Sequence, residues 1–205
     1  METIAVIDFE TTGMSPEAGA RATEIAAVLV CDGQVVDRYQ NLMNTGAYIP
    51  PFIEALTGIT NAMIEAAPPA DRVMREVADF VGAAPLVAHN AAFDRKFWDA
   101  ELARIDRTRQ ADFACTLLLS RRLYPDAPNH KLATLVRYAR LPSAGRHHRA
   151  LADAEMTASL LLRIEADLVE RFGSLRVTHA MLQEIQRAPR WGVETLAEKY
   201  LLAQG

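Results

Sequence analysis

The segment IAVIDFETTG, residues 4–13, constrains the fold most, because it places two acidic residues in an otherwise apolar stretch. Residues 3–9 have the continuous apolar character of a buried β-strand. Residues two apart on a strand point to the same side, so Asp8 and Glu10 project together from its end. Two carboxylates this close repel each other, and burial raises the cost of ionising both. We therefore expect a positive charge between them, unless the strand ends at Asp8 and both acids are solvated.

The rest of the chain predicts an α/β fold, a mixed sheet with helices on its faces. Residues 22–30 and 34–43 are predicted strands joined by the tight-turn dipeptide Asp32-Gly33, which gives an antiparallel three-strand meander. A short apolar strand is expected at 85–89. Hydrophobic spacing predicts helices over 70–82, 92–105, 115–124, 131–140, 149–171, 175–187 and 193–203.

Two further acids follow apolar stretches. Alone, Asp94 would be explained as a favourable charge at a helix N-terminus, and Asp153 as an exposed residue of an amphipathic helix. Together with Asp8 and Glu10, they offer four hard oxygen ligands without an accompanying cysteine, which favours Mg²⁺ or Mn²⁺. His148 precedes Asp153 by five residues, and a histidine can take a proton from water near neutral pH.

Several ordered segments resemble the DEDDh 3′–5′ exonuclease family, which includes the epsilon subunit of bacterial DNA polymerase III and exonuclease X. The similar segments are DFETTG with Glu24-Ile25, LTGIT (56–60), LVAHNAAFD (86–94), CTLLLSRRLYP (115–125) and HRALADAEMT (148–157). The resemblance implies a ribonuclease H-like fold. We expect an exonuclease domain over residues 1–172 and a C-terminal helical extension over 173–205, packed on the domain or in a dimer interface.

The resemblance also implies the chemistry. Asp8, Glu10, Asp94 and Asp153 would hold two divalent cations, Mg²⁺ or Mn²⁺, and His148 would deprotonate the attacking water. The expected reaction removes nucleoside 5′-monophosphates from the 3′ end of single-stranded or frayed DNA. Related enzymes that trim RNA make an exoribonuclease the alternative, and a non-catalytic nucleic-acid-binding module is a less favoured one. His147 is given a supporting role at most.

Substrate contacts are likewise implied by the family. Met14 would separate the last two bases, and Phe93 would line the pocket or belong to the core. His89 would touch the nucleotide or cap the strand end. The full predicted set is Thr11, Thr12, Met14, His89, Asn90, Phe93 and Arg149. Arg121, Arg122, Arg146 and Arg149 are candidates for phosphate contact, with a solvated basic face as the alternative. Thr57 departs from the histidine that epsilon-like members often have there.

Charge and targeting signals restrict the partners. The net charge is −4, but residues 95–149 hold 12 Lys and Arg against 5 Asp and Glu, which is compatible with a local anionic partner such as a nucleic acid with a free 3′ end. We find no signal peptide or membrane-spanning stretch and no evident polymerase-tethering tail, and the two cysteines, Cys31 and Cys115, suggest buried thiols in the cytoplasm. A monomer or homodimer is expected. Trp191 is interpreted as a core anchor rather than a base-stacking residue.

Overall fold

The computed structural model describes residues 2–142 and 148–204, which form a five-stranded mixed sheet with helices on both faces. The strands are β1 (Ile4–Thr11), β2 (Ala22–Cys31), β3 (Gln34–Leu42), β4 (Leu86–Ala88) and β5 (Phe113–Cys115). The helices are α1 (Pro51–Thr57), α2 (Asn61–Glu65), α3 (Ala70–Val81), α4 (Ala92–Ala103), α5 (Thr116–Leu123), α6 (Leu132–Tyr138), α7 (Ala150–Phe172), α8 (His179–Arg187) and α9 (Val193–Gln204). Within those ranges, no helix is long and apolar enough to cross a lipid bilayer.

The strand order β3-β2-β1-β4-β5 puts β1 at the centre of the sheet. β1, β2 and β3 form the predicted antiparallel meander, and Asp32 and Gly33 both have the positive φ that a tight hairpin turn requires. β4 and β5 run parallel to β1. The prediction missed β5 and began a helix at Cys115, because a three-residue strand is too short to produce a recognisable alternation.

The two faces of β1 contact different helical layers. Ile4 and Val6 belong to the core that α7 covers, whereas Ala5, Ile7 and Phe9 belong to the core of the α3 and α4 layer. The even-numbered positions of β1 thus face α7, and Asp8 and Glu10 continue that series. The alternation of the pleat therefore decides that these two acids point toward α7.

Small side chains let α7 lie close to the sheet. Ala150, Ala154 and Ala158 are fully buried at helical spacing in the same core as Val28 of β2. Because alanine adds little bulk, the helix backbone comes near the strands at its N-terminal end. This close contact brings the first turn of α7 to the end of β1.

The helix α8 covers the outer edge of the sheet at β5. It begins at His179, later than the predicted 175, because Thr178 caps it by accepting a hydrogen bond from the amide of Met181. Gln186 of α8 accepts a hydrogen bond from the amide of Cys115 at 2.6 Å and donates one to the carbonyl of Phe113. These bonds satisfy backbone groups that an edge strand would otherwise leave unpaired.

Trp191 does not anchor the core. It lies in a 3₁₀ turn, Arg190–Gly192, and its side chain is 82% exposed. The following helix α9 buries Val193 and Ala197 instead. The prediction of a core tryptophan was wrong, because the turn directs the indole away from the buried face.

We predict that replacing Gln186 by Ala lowers the free energy of unfolding by roughly 1–3 kcal/mol, because the buried amide of Cys115 loses its hydrogen-bond acceptor. Urea denaturation followed by circular dichroism measures this change. Gln110→Ala is the matched control, since Gln110 is exposed and its side chain donates to the nearby carbonyl of Thr108 rather than to a strand. Equal stability of the two variants would contradict the proposed edge role.

Candidate metal centre

The carboxyl-terminal end of β1 carries the first two acids. β1 continues to Thr11, so the interpretation in which the strand ends at Asp8 with solvated acids is wrong. Asp8 is half-buried, and Glu10 is 9% exposed. Glu10 lies opposite Glu24 of β2 in the antiparallel register. Three carboxylates therefore share the α7 side of the sheet at this end.

Asp94 reaches the same place from the opposite helical layer. It lies in the first turn of α4, and its side chain is 3% exposed. Its Oδ1 atom accepts a hydrogen bond from the backbone amide of Phe9, at 3.2 Å. Phe9 lies between Asp8 and Glu10 on β1, so this bond holds the carboxylate against the strand end.

The loop before α7 supplies the remaining predicted groups. Oδ2 of Asp153 accepts a hydrogen bond from the amide of His148 at 3.0 Å. Ligand atoms of Glu10, His148 and Asp153 all lie within 4.8 Å of one another. His148 has a φ of 63°, a left-handed conformation that is uncommon for a histidine and that accompanies the sharp turn into the helix. Its imidazole is exposed to solvent.

Burial and mutual repulsion raise the pKa values of these acids. Desolvation raises the pKa of Asp8 well above its usual range, and the charges of Asp94 and Asp153 raise it further. Desolvation, followed by the charge of Asp153, raises the pKa of Glu10 to about 8. Desolvation also raises the pKa of Asp94 to about 7, although the hydrogen bond from Phe9 opposes this shift. The cluster thus holds more negative charge than the protein itself neutralises.

This donor set fits divalent cations. The four predicted ligands offer only carboxylate oxygens, which hard cations such as Mg²⁺ and Mn²⁺ prefer. The raised pKa values of Asp8, Glu10 and Asp94 indicate that a positive charge at the cluster would be stabilised by these three acids. The structure therefore brings Asp8, Glu10, Asp94, Asp153 and His148 together at a place where cations can bind.

Glu24 is fully buried beside the cluster, but its oxygens are occupied by the protein. Its carboxylate accepts hydrogen bonds from Nε and Nη2 of Arg149 at 3.1 and 2.7 Å, from the amide of Ala150 at 3.0 Å and from Gln40 at 2.6 Å. Arg149 and Ala150 begin α7. Glu24 thereby fixes the start of this helix to β2, and it sets where His148 and Asp153 lie.

This role of Glu24 is not among those predicted from the sequence. The available signal was an acid inside the otherwise apolar strand TEIAAVLV. Arg149, predicted to bind substrate, has its guanidinium turned toward Glu24. Its contact with substrate stays a prediction.

The last residue of β1 and the loop that follows it hold three of the predicted substrate residues. Thr11 donates to the carbonyl of Gly13 at 2.7 Å, and Thr12 accepts from the amide of Arg21 at 3.0 Å. Both hydroxyls thus stabilise the loop. Met14 projects from it with 78% of its side chain exposed. An apolar side chain this exposed next to the acids is available to a ligand.

The remaining predicted residues follow β4. Both ring nitrogens of His89 are hydrogen-bonded, since Nδ1 lies 2.9 Å from the hydroxyl of Thr116 and Nε2 lies 3.0 Å from the carbonyl of His130. Burial lowers the pKa of His89 to about 4, so the ring is neutral and Nε2 is the donor to the carbonyl. The ring is thus bonded to α5 and to the residue before Lys131, and the two roles predicted for His89 both stay predictions.

Asn90 and Phe93 differ in exposure. Asn90 is exposed with a φ of 66°, and it lies at the mouth of the clefts beside β4. Phe93 is half-buried, and its ring centroid lies 5.0 Å from that of Phe97. Phe93 therefore contacts the core and retains a partly open side.

The four arginines proposed for phosphate contact lie in different surroundings. Arg122 donates to the carbonyls of Ala188 and Leu118, both at 2.8 Å, so its guanidinium is engaged with the backbone. Arg121 is exposed and lines two clefts. Arg146 lies outside the described residues, as does His147.

A family model described as an exonuclease matches residues 5–161 of the chain. The 3′–5′ exonuclease DinG of Bacillus subtilis is 39% identical over 163 residues, which cover 78% of this chain and 17% of that protein. The PolC-type DNA polymerase III of the same organism is 37% identical over 172 residues, which cover 83% of this chain and 12% of the polymerase. The chain spans about a third or less of the length of the first curated relatives it matches.

Solved structures share the fold. Exonuclease X, determined in complex with 5′ overhanging duplex DNA, superposes with a TM-score of 0.71 at 30% identity, covering 89% of this chain and 99% of that one. The nuclease domain of the DEDDh family member 3′hExo, bound to rAMP, superposes with a TM-score of 0.67 at 22% identity, covering 81% of this chain and 92% of that one. These matches place the sheet and helices described above in a ribonuclease H-like arrangement.

We predict that Asp94→Asn stabilises the metal-free protein at high pH. The pKa of Asp94 rises from 3.8 to about 7 on folding, so its carboxyl favours the folded state when protonated, and stability is lost as the pH rises between these values. The variant should match the wild type near pH 4 and exceed its free energy of unfolding by roughly 1–3 kcal/mol at pH 8.5. Thermal unfolding in chelator measures the difference.

Asp99→Asn is the control for this experiment, because Asp99 lies on the same helix and pairs with Arg109 at a part-exposed position. It should not gain stability at pH 8.5. Added Mn²⁺ should raise the melting temperature of the wild type more than that of Asp94→Asn. If Asp94→Asn were less stable than the wild type at pH 8.5, the repulsive cluster described above would be wrong.

We also predict that Glu24→Gln weakens Mn²⁺ binding at least tenfold, because Arg149 loses its charged partner and the start of α7 loses its fixed position. Calorimetric titration at pH 8 measures this affinity. Glu101→Gln provides the matched control, since Glu101 is also buried and also binds an arginine through both oxygens, Arg21 at 2.8 and 2.9 Å, but its hydrogen bonds in the described part of the chain go to Arg21 and the amide of Ala22 rather than to α7. Equal losses of Mn²⁺ affinity in both variants would show that Glu24 acts only on overall stability.

Proposed function

Because the chain belongs to the DEDDh 3′–5′ exonuclease family, we propose that it hydrolyses phosphodiester bonds from the 3′ end of single-stranded or frayed DNA and releases nucleoside 5′-monophosphates. The observation that carries this proposal is the convergence of four carboxylates and one exposed histidine at the end of β1. Asp8 and Glu10 come from β1, Asp94 comes from α4, and His148 and Asp153 come from the start of α7 and the residues just before it.

Two divalent cations, Mg²⁺ or Mn²⁺, would be held by Asp8, Glu10, Asp94 and Asp153. When bound, they would supply positive charge to the scissile phosphate and to the attacking and leaving oxygens. The charges of Asp94, Asp153 and Glu10 all raise the pKa of Asp8. Asp8 would therefore be the ligand that the two ions share.

His148 would take the proton from the attacking water. Its imidazole is exposed and near the oxygens of Glu10 and Asp153, so a water molecule can lie between the histidine and the cluster. The hydrogen bond from its own amide to Asp153 fixes the loop that carries it. The carboxylates orient the site, and the histidine moves the proton.

The loop of residues 11–14 would receive the terminal nucleotide. Thr11 and Thr12 hold the loop through their hydroxyl groups, which leaves the exposed thioether of Met14 to contact a base. Asn90 and Phe93 would approach the same nucleotide from the β4 side. A free 3′ end would reach this place from the side of the exposed His148 and Met14 side chains.

DNA is favoured over RNA by the likeness to exonuclease X, whose structure contains 5′ overhanging duplex DNA and superposes over 89% of this chain. RNA trimming is the second candidate, since the 2′-hydroxyl pocket depends on contacts that the acids do not define. A non-catalytic role is disfavoured because all five catalytic positions are filled.

We further propose that residues 1–172 are the exonuclease domain and that 173–205 form an extension covering it, since α8 contacts β5 and α5. The protein would act as a monomer or homodimer. Two free thiols, Cys31 half-buried and Cys115 buried, are consistent with work in the cytoplasm.

The test incubates the protein with 5′-labelled single-stranded DNA or RNA in Mg²⁺, Mn²⁺ or chelator. We expect stepwise shortening that requires metal, is faster on DNA, is abolished by Asp8→Ala and falls at least a hundredfold in His148→Ala. Asp37→Ala on the exposed strand β3 is the control and should keep full activity. Unchanged activity in chelator would exclude the mechanism, and faster cleavage of RNA would replace the DNA substrate.

A further inference from the structure

Two clefts open beside the metal centre at the carboxyl-terminal edge of β4 and β5. One has a volume of about 600 Å³ and the other about 320 Å³. They share Asn90, Leu117 and Arg121 in their walls. The two clefts are therefore adjacent, with these three residues between them, and we call the pair the β4–β5 groove.

The sheet register places this groove next to the acids. Val6 of β1 lies opposite Val87 of β4, so His89 falls beside Asp8 when the parallel register is continued by two residues. Ala88 lies opposite Cys115, and His89 accordingly contacts Thr116. The carboxyl-terminal ends of β1, β4 and β5 therefore lie side by side in that order. The groove at β4 and β5 is adjacent to the acids at the end of β1.

The groove is basic although the chain is acidic. Its walls contain three exposed cations, Arg95, Arg121 and Lys131, and none of its described lining residues is an Asp or Glu. Among the described residues, no carboxylate lies within ion-pair distance of these three side chains. A cleft lined by one sign of charge attracts ions of the opposite sign, so this groove favours an anionic ligand although the chain has 26 acids and 22 bases.

The wall between the cations is apolar. Leu117, Leu118 and Leu132 are half-buried there, and Phe113 contributes an aromatic ring. A ligand that fits must therefore carry negative charges at intervals and apolar faces between them. Single-stranded nucleic acid has both features, whereas a duplex presents its phosphates and hides its bases.

We propose that the β4–β5 groove binds the single-stranded segment immediately 5′ of the terminal nucleotide, with Arg121 at its centre and Arg95 and Lys131 on either side. This inference rests on the proposed function and adds the path of the upstream strand. Arg121 would bind a phosphate where the two clefts meet, and the bases would lie on the leucine side chains. Asn90 would mark the junction with the metal centre.

The test measures binding separately from cleavage. Fluorescence anisotropy in chelator gives the dissociation constant of labelled dT12 at several salt concentrations, without any catalysis. The triple variant Arg95→Ala, Arg121→Ala, Lys131→Ala should bind at least tenfold more weakly, and the slope of log K against log salt should fall by about 2, since each single-strand phosphate contact contributes about 0.7. Arg137→Ala, an exposed cation on α6 outside the groove, is the control and should change neither quantity.

A small substrate then separates this proposal from the proposed function. The p-nitrophenyl ester of thymidine 5′-monophosphate has one phosphodiester and no upstream nucleotides, so the triple variant should hydrolyse it at the wild-type rate while losing activity on dT12 at least tenfold.

Unchanged dT12 binding and salt slope in the triple variant would overturn the groove even if nuclease activity persists. If polyglutamate displaced labelled dT12 as well as unlabelled dT12 does, the proposal would also be overturned, because the groove would then bind anions without preference for bases. An inactive wild type that binds dT12 through the groove would instead refute the proposed function alone.

Discussion

The repulsion among buried carboxylates at the end of β1 is the interaction on which the rest of this structure depends. Asp8, Glu10 and Asp94 all have raised pKa values, first because of burial and then because of one another. Such a cluster costs stability unless cations neutralise it. The fold holds the acids in place through backbone hydrogen bonds to Asp94 and Asp153 and through the Glu24–Arg149 pair beside the cluster, so that the unfavourable charge remains concentrated for a ligand.

Two buried glutamate–arginine pairs stabilise the two sides of the centre. Glu24 binds Arg149 and fixes the start of α7, which carries the histidine and the last acid. Glu101 binds Arg21, whose backbone is hydrogen-bonded to Thr12 in the loop that presents Met14. In each pair, the carboxylate is bound to an arginine of the protein rather than available to a ligand. The start of α7 and the loop that presents Met14 are thereby held by two different ion pairs.

The arrangement along the sheet edge also relates the chemistry to the substrate. The acids lie at β1, and the basic groove lies beside them at β4 and β5. Negative and positive regions next to each other suit a polyanion whose scissile phosphate meets cations and whose remaining phosphates meet side chains. The overall charge of −4 conceals this local separation.

The sequence by itself determined the meander, the shared direction of Asp8 and Glu10, and the helical positions of Asp94 and Asp153, because strand and helix periodicities are local properties. It also suggested the ligand chemistry, since four acids without cysteine restrict the cation. The tertiary structure alone decided that Glu24 ties down Arg149, that His89 bridges Thr116 and His130, that β5 exists and that Trp191 is exposed. These features depend on contacts between residues distant in the chain, and such contacts leave no periodic pattern in the sequence.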